Sequence, residues 1–170
     1  MTDASGASPE SQPSSVSPHS LPLVIHAQYV KDISFESPSS PNALRPGQEN
    51  PRMDVNINLD ARALEDTNLK NLYEVVLKLS ARAERKDYTV FVAELHYGIT
   101  VSLPEVPEAQ HHPLLLIEVP KLAFPFARKI LGDLTQDGGF PPLLLGPVDF
   151  YGMYMARFGK KAEAAAKAAN

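Results

Sequence analysis

The sequence predicts an α+β fold: a four-stranded antiparallel sheet followed by a long helix and a C-terminal helix. Two observations carry that expectation. Four stretches alternate apolar and polar side chains with the period of a half-buried strand. After them Ala123, Phe126, Ala127, Ile130, Leu131 and Leu134 recur at steps of three and four, the stripe of an amphipathic helix. That helix reads as the seam against which the strands pack.

The first strand covers Ile25 to Glu36. Ile25, Ala27, Tyr29, Ile33 and Phe35 share one face, interrupted by Lys31; His26, Gln28, Asp32, Ser34 and Glu36 share the other, interrupted by Val30. Ser37 to Arg52 carries Pro38, Pro41, Pro46, Gly47 and Pro51, and reads as a flexible crossover whose one large apolar side chain is Leu44. From Met53 to Asp60 the alternation is strict, with Val55, Ile57 and Leu59 on the apolar face. Ala61 to Lys70 reads either as a short helical turn or as an irregular strand end. Tyr73 to Ala83 and the run from Tyr88 to Leu103 alternate around the charged turn Glu84-Arg85-Lys86-Asp87, which makes an antiparallel hairpin.

Proline marks the next boundary. Pro120 and Pro125 would each break or start a helix, so periodicity alone begins the helix near Pro125. Gly138-Gly139 ends it, and Phe140-Pro141-Pro142 forces an extended exit. A helical pattern resumes from Val148 through Phe150, Tyr151, Met153, Tyr154, Met155 and Phe158. Residues 1–22 are a Ser/Pro-rich extension, expected to be disordered. Residues 23–158 form one domain, and 159–170 an Ala/Lys-rich tail, either a frayed helix or a solvated segment.

Composition excludes several classes. The net charge of −4 speaks against nucleic-acid binding. The absence of cysteine excludes disulfides and thiolate metal sites. No apolar run approaches the ~20 residues of a membrane span. Asp3 and the lack of a basic n-region speak against a signal peptide, so a cytoplasmic location is expected. His111-His112 are adjacent but read as a solvated loop, not a metal site. No nucleophile elbow, phosphate loop or tuned carboxylate pair is present, so neither an enzyme nor a cofactor is expected.

The motifs YVKDISFESP (29–38), FPFAR (124–128) and GGFPPLLLGPVDF (138–150) resemble the bacterial protein-export chaperones of the SecB family. The resemblance runs from Ile25 to Phe158. It implies a homotetramer, a dimer of dimers with the long helices between the sheets. It also implies a helix beginning near Leu114, in conflict with the start near Pro125. The function implied is ATP-independent holding of unfolded precursor proteins and their delivery to the motor ATPase SecA.

Two constellations could carry that function. By parity Asp32, Glu36 and Glu94 lie on the polar sheet face with Val92 beside them, and the resemblance implies that these four contact SecA. Leu44, Val55, Ile57, Leu59, Phe150, Tyr151, Tyr154 and Met155 are expected to line a client groove, because methionine and aromatic groups adapt to irregular apolar partners. The tail departs from the family. Lys160, Lys161 and Lys167 stand with the single Glu163 where family tails are acidic and contact the zinc-binding end of SecA. Rival readings are a small-molecule carrier or interaction module using the same groove, and a SecB-like chaperone of a toxin–antitoxin system.

Overall fold

The computed structural model describes residues 21–168, with side chains through 159. The expected N-terminal disorder therefore falls almost wholly outside the described residues. Four strands, β1 (Val24–Glu36), β2 (Arg52–Leu64), β3 (Leu72–Arg85) and β4 (Tyr88–Ser102), form one antiparallel sheet in the order β1, β4, β3, β2. The crossover from β1 to β2 therefore spans the sheet from edge to edge.

The helical part begins earlier than periodicity predicts. A turn of α-helix, α1 (His111–Pro113), runs into a π-helical turn, Leu114–Glu118, and then into α2 (Val119–Asp137). The start near Pro125 is thus corrected. Pro120 lies in the first turn of α2, where a missing N–H is tolerated. Before it, the Val119 amide bonds back to Leu114. Pro125 does sit inside the helix. An interior proline costs ~3 kcal/mol, which the flanking Ala123, Phe124, Ala127 and Leu131 offset by burial against the sheet. The buried stripe differs from the expected one by a rotation: Phe124 faces inward, while Phe126 is 52% exposed.

Gly138 and Gly139 close α2 as expected. Gly139 takes φ +87°, its amide bonds to the Gln136 carbonyl, and Phe140 bonds back to Thr135. These paired bonds satisfy carbonyls that the helix end leaves open. The Thr135 hydroxyl accepts a bond from the Leu143 amide at 2.9 Å and so ties the extended exit to the helix. The last helix, α3 (Phe150–Ala168), includes the Ala/Lys-rich segment through Ala168.

The core lies between α2 and the two central strands. Val75, Leu77, Leu79, Ala81 and Ala83 of β3 and Phe91, Ala93, Leu95, Tyr97, Ile99 and Val101 of β4 are buried, as their alternation predicts. In β1 the expected faces are partly wrong. Register shifts occur between Ile25 and Ala27 and between Val30 and Asp32. Each inserts a residue and exchanges the faces of the residues after it. Tyr29 and Ala27 therefore stand on the outer face, opposite Gly98 and Thr100, while Gln28 and Val30 face inward opposite Ile99 and Tyr97. Asp32, Ser34 and Glu36 keep their expected outward direction. The interruptions at Val30 and Lys31 mark the second bulge.

The shifted Tyr29 joins a polar cross-link over the outer face. Glu74 of β3 is only 3% exposed. It accepts hydrogen bonds from the Tyr29 hydroxyl, from Lys31 at 2.7 and 2.8 Å, and from Arg62 Nε at 2.6 Å. Three strands meet at one carboxylate, and the fourth yields space. A Cβ on Gly98 would stand 2.6 Å from the Tyr29 ring, so only glycine lets the ring cross β4. Burial by itself would raise the Glu74 pKa, but the bonds from Lys31, Tyr29 and Arg62 outweigh it and bring the value to about 2. Burial, then the bond to and the charge of Glu74, push the Tyr29 hydroxyl up to about 12.

A carboxyl with a depressed folded pKa stabilises the fold above its unfolded value, near 4.5, and loses that contribution as pH falls toward 2. Glu74→Gln should therefore flatten the acid limb of the stability profile between those values. Glu74→Ala should cost about 1–3 kcal/mol at neutral pH, because Lys31 and Arg62 retain access to water. Urea titrations at several pH values measure both; an unaltered acid limb in Glu74→Gln would remove the network from acid stability.

Candidate functional site

The outer face brings the acidic constellation together. Glu94 pairs across the strands with Ser34, Val92 with Glu36, and His96 with Asp32. Opposite residues of an antiparallel pair point to the same side, so Glu94 lies between Asp32 and Glu36 with Val92 alongside. Nearby cations are engaged elsewhere: Lys31 with Glu74, Lys78 with Asp60, and Arg82 with Glu84. Among the described residues Glu36 and Glu94 form no ion pair, and Asp32 has only His96, 3.9 Å away. The result is a solvent-facing carboxylate cluster around an aliphatic side chain. Its charge is not cancelled by any described residue.

The apolar constellation lies on the opposite face, along edge strand β2. Met53, Val55, Ile57 and Leu59 pair with Ala83, Ala81, Leu79 and Leu77 and so point to the helix side. At one end a groove of about 100 Å³ is lined by Ile57, Leu59, Leu116, Met153, Tyr154 and Phe158, with Asn58 and Arg157 at its polar parts. At the other end an opening of about 320 Å³ is lined by Asn50, Pro51, Met53, Arg85, Phe91, Phe140, Pro141, Pro142 and Leu143. Val55 lies between them in sequence. Leu59 lies six positions beyond Met53, so the face extends for ~20 Å.

The expected groove residues do not all share one surface. Leu44 lines neither opening; it rests over Gly139, where a Cβ would stand 3.3 Å from its methyl groups. Beside the second opening Phe91 stacks on Phe35 at 5.6 Å and meets Phe140 at 5.0 Å. Tyr154 lines the first groove; Tyr151 is 58% exposed, and Met155 is also exposed. Phe150 is buried edge-on against Phe124 at 5.9 Å and belongs to the core, which corrects its placement on the groove surface. Met153, Leu116, Phe158, Phe140 and the Pro141-Pro142 pair were not among the expected lining residues. Single apolar side chains carry no sign of which cavity they line, although Met153 and Phe158 belong to the helical pattern that already placed Tyr154.

Two further expectations change. His111 is buried, not solvated. Its Nε2 faces the Val106 carbonyl at 2.8 Å, which requires a proton there, so in the neutral ring Nδ1 accepts from the Tyr73 hydroxyl at 2.8 Å. His112 tethers α3: Nδ1 lies 3.0 Å from the Tyr154 hydroxyl, and its ring meets Phe158 edge-on at 4.8 Å. Nor is the crossover floppy. Ala43 is buried, and the Ser37 hydroxyl bonds to the Val90 carbonyl at 2.8 Å. No helix among the described residues is long and apolar enough to cross a membrane.

The SecB family, described as preprotein translocase subunit SecB, matches residues 17–161. A protein-export protein SecB from Maricaulis maris is 48% identical over 97% of this chain and 91% of its own length. Another, from Rhodospirillum centenum, is 46% identical over 91% of this chain and 90% of its own. In structure the chain is similar to a SecB-like chaperone from Mycobacterium tuberculosis, solved in complex with a peptide from an antitoxin. The TM-score is 0.59 at 17% identity, covering 74% of this chain and 90% of that one. At that identity the likeness speaks to the fold, and it has the same sheet-and-helix plan. The family match covers most of the sheet-and-helix domain, and the two relatives share nearly half of its residues: the chain belongs to the SecB family of protein-export chaperones.

Proposed function

We propose that this chaperone holds unfolded precursor proteins along the β2 face and passes them to SecA through the carboxylate cluster on the opposite side of the sheet. The supporting observation is the separation of the two surfaces. Clients would lie on an apolar face with two openings, while the motor would meet charge on the other. Neither contact then needs to displace the other. Holding would run on affinity alone, in the cytoplasm, without ATP or another cofactor.

The groove has few polar groups with which to read a sequence, so exposed apolar segments and flexibility would define a client. Several weak contacts on one unfolded chain raise the overall affinity by roughly 10²–10⁴ when the geometry permits. At one hundred times the dissociation constant, binding only the unfolded state shifts a client's folding equilibrium by about 2.7 kcal/mol. Slow-folding variants of a precursor should therefore be retained and fast-folding ones should escape. Refolding rates of both variants, with and without the chaperone, test this; equal indifference at saturation would end the holding role.

For SecA, reversing the charges of Asp32, Glu36 and Glu94 together should slow association and weaken binding. Wild-type affinity should also fall with added salt. Because these side chains face solvent, each alanine variant should alter stability by no more than about 0.5 kcal/mol. Titration calorimetry against SecA provides the measurement. Unchanged affinity in a correctly folded triple variant would remove the cluster from the mechanism.

The assembly proposed is a homotetramer. Its support is the second stripe of α2, where Leu122, Phe126, Ile130 and Leu134 recur every four residues and remain exposed or half-buried. Facing helices from other subunits would cover that stripe. Sedimentation equilibrium should give a tetramer at micromolar concentration. A monomer throughout that range would exclude the assembly.

A further inference from the structure

The crossover supplies Asn50 and Pro51 to the larger opening, and part of what holds it comes from outside its own sequence. The holding group comes from the far end of β3. Arg85 donates from Nε to the Glu49 carbonyl at 2.7 Å, and from Nη1 to the Ala43 carbonyl at 3.0 Å and to Gln48 Oε1 at 2.8 Å. Gln48 in turn donates to the carbonyls of Asn42 and Arg45 at 2.7 and 2.9 Å. Tyr88 closes the set: its hydroxyl donates to Gln48 Oε1 at 2.6 Å and lies 3.0 Å from Arg85 Nη1. Carbonyls on both sides of Leu44 are thereby captured. Arg85 also lines the opening itself, with Phe91 and Phe140.

A guanidinium suits this task. Its donors lie in a rigid plane and stay charged at any working pH, so several carbonyls can be held at fixed mutual angles. A lysine at the same place would offer a point charge and fewer fixed directions. Charge-assisted bonds of this kind are the stronger class. They gather here on a proline-rich loop that contributes Ala43 to the core and Asn50 and Pro51 to the opening.

We propose that Arg85, with Gln48 and Tyr88, is a positioning residue for client capture: it holds the crossover so that Asn50 and Pro51 and the Phe35–Phe91–Phe140 cluster form a preorganised seat for a large apolar or aromatic side chain of an unfolded client. This rests on the proposed client groove and adds the residue that keeps the groove in its binding shape. Releasing the clamp lets the loop sample other shapes. The apparent dissociation constant rises as the competent fraction falls, so a fall to one in ten weakens binding about tenfold.

The probe is an unstructured apolar peptide carrying one tryptophan. The chain has no tryptophan of its own, so the emission reports the peptide alone. Wild-type full-length protein should bind it with a blue shift. Arg85→Ala should weaken binding about tenfold, mainly through faster dissociation, and speed amide exchange across residues 42–50. Arg85→Lys should restore part of the affinity. SecA binding, measured on the same proteins, should stay unchanged. Gln48→Ala, which leaves the strands untouched, should reproduce the loss and serves as the second variant if Arg85→Ala fails to fold. Faster exchange or lower thermal stability with unchanged peptide affinity would make Arg85 merely structural and overturn the proposal. Absence of peptide binding by the wild type would instead overturn the groove reading itself, and the proposal with it.

Discussion

The sheet is longer than the helix that covers it. A strand of 14 residues such as β3 spans ~46 Å, whereas the 19 residues of α2 span ~28 Å and a width of ~10 Å. One helix can seal β3 and β4 but cannot also seal the edge. The consequences run through the molecule. The inner face of β2 is left half-covered, α3 and the extended exit close parts of it, and two openings remain where neither reaches. An incompletely covered apolar face is ordinarily a liability. Under the proposed client-holding role it is the working surface.

The outer face meets a different constraint. No described element covers it, so its stability must come from polar contacts that survive in water. Glu74 meets that need because it is itself buried under Tyr29, Lys31 and Arg62. The cross-link occupies cations that would otherwise lie free near the acids. The same holds for Lys78 and Arg82, each engaged with a carboxylate outside the cluster. That the described residues leave the charge of Asp32, Glu36 and Glu94 uncompensated is therefore a product of how the rest of the face pairs.

Rigidity is distributed unevenly. The central strands are closed on both sides by hydrogen bonds, and the helix end is locked by its glycine turn. The crossover and α3 are attached by side chains instead: Arg85 and Gln48 for the one, His112 and the Phe124–Phe150 contact for the other. Both attached elements border the openings. Segments held by a few side-chain bonds open at lower cost than strands of a ladder.

Sequence alone determined the plan. Strict alternation in β2, β3 and β4 fixes both faces, because a period of two leaves one register that buries the apolar set, and Gly138-Gly139 marks the helix end through backbone freedom that other residues lack. The outward direction of Asp32, Glu36 and Glu94 was legible for the same reason. The features that remained hidden depended on partners distant in the chain. The β1 bulges turn Tyr29 to the face where it reaches Glu74 across 45 residues, and no local period encodes that contact. Pro125 lies inside a helix because packing outweighs a local penalty, a comparison of energies that a window of sequence cannot make. Phe124 and Phe126 exchanged places because a stripe gives the spacing of a helix but not its rotation about the axis. Arg85 read as part of a charged turn, since its acceptors are carbonyls, and every residue has a carbonyl. Only the folded chain brings Ala43, Gln48 and Glu49 within reach of one guanidinium.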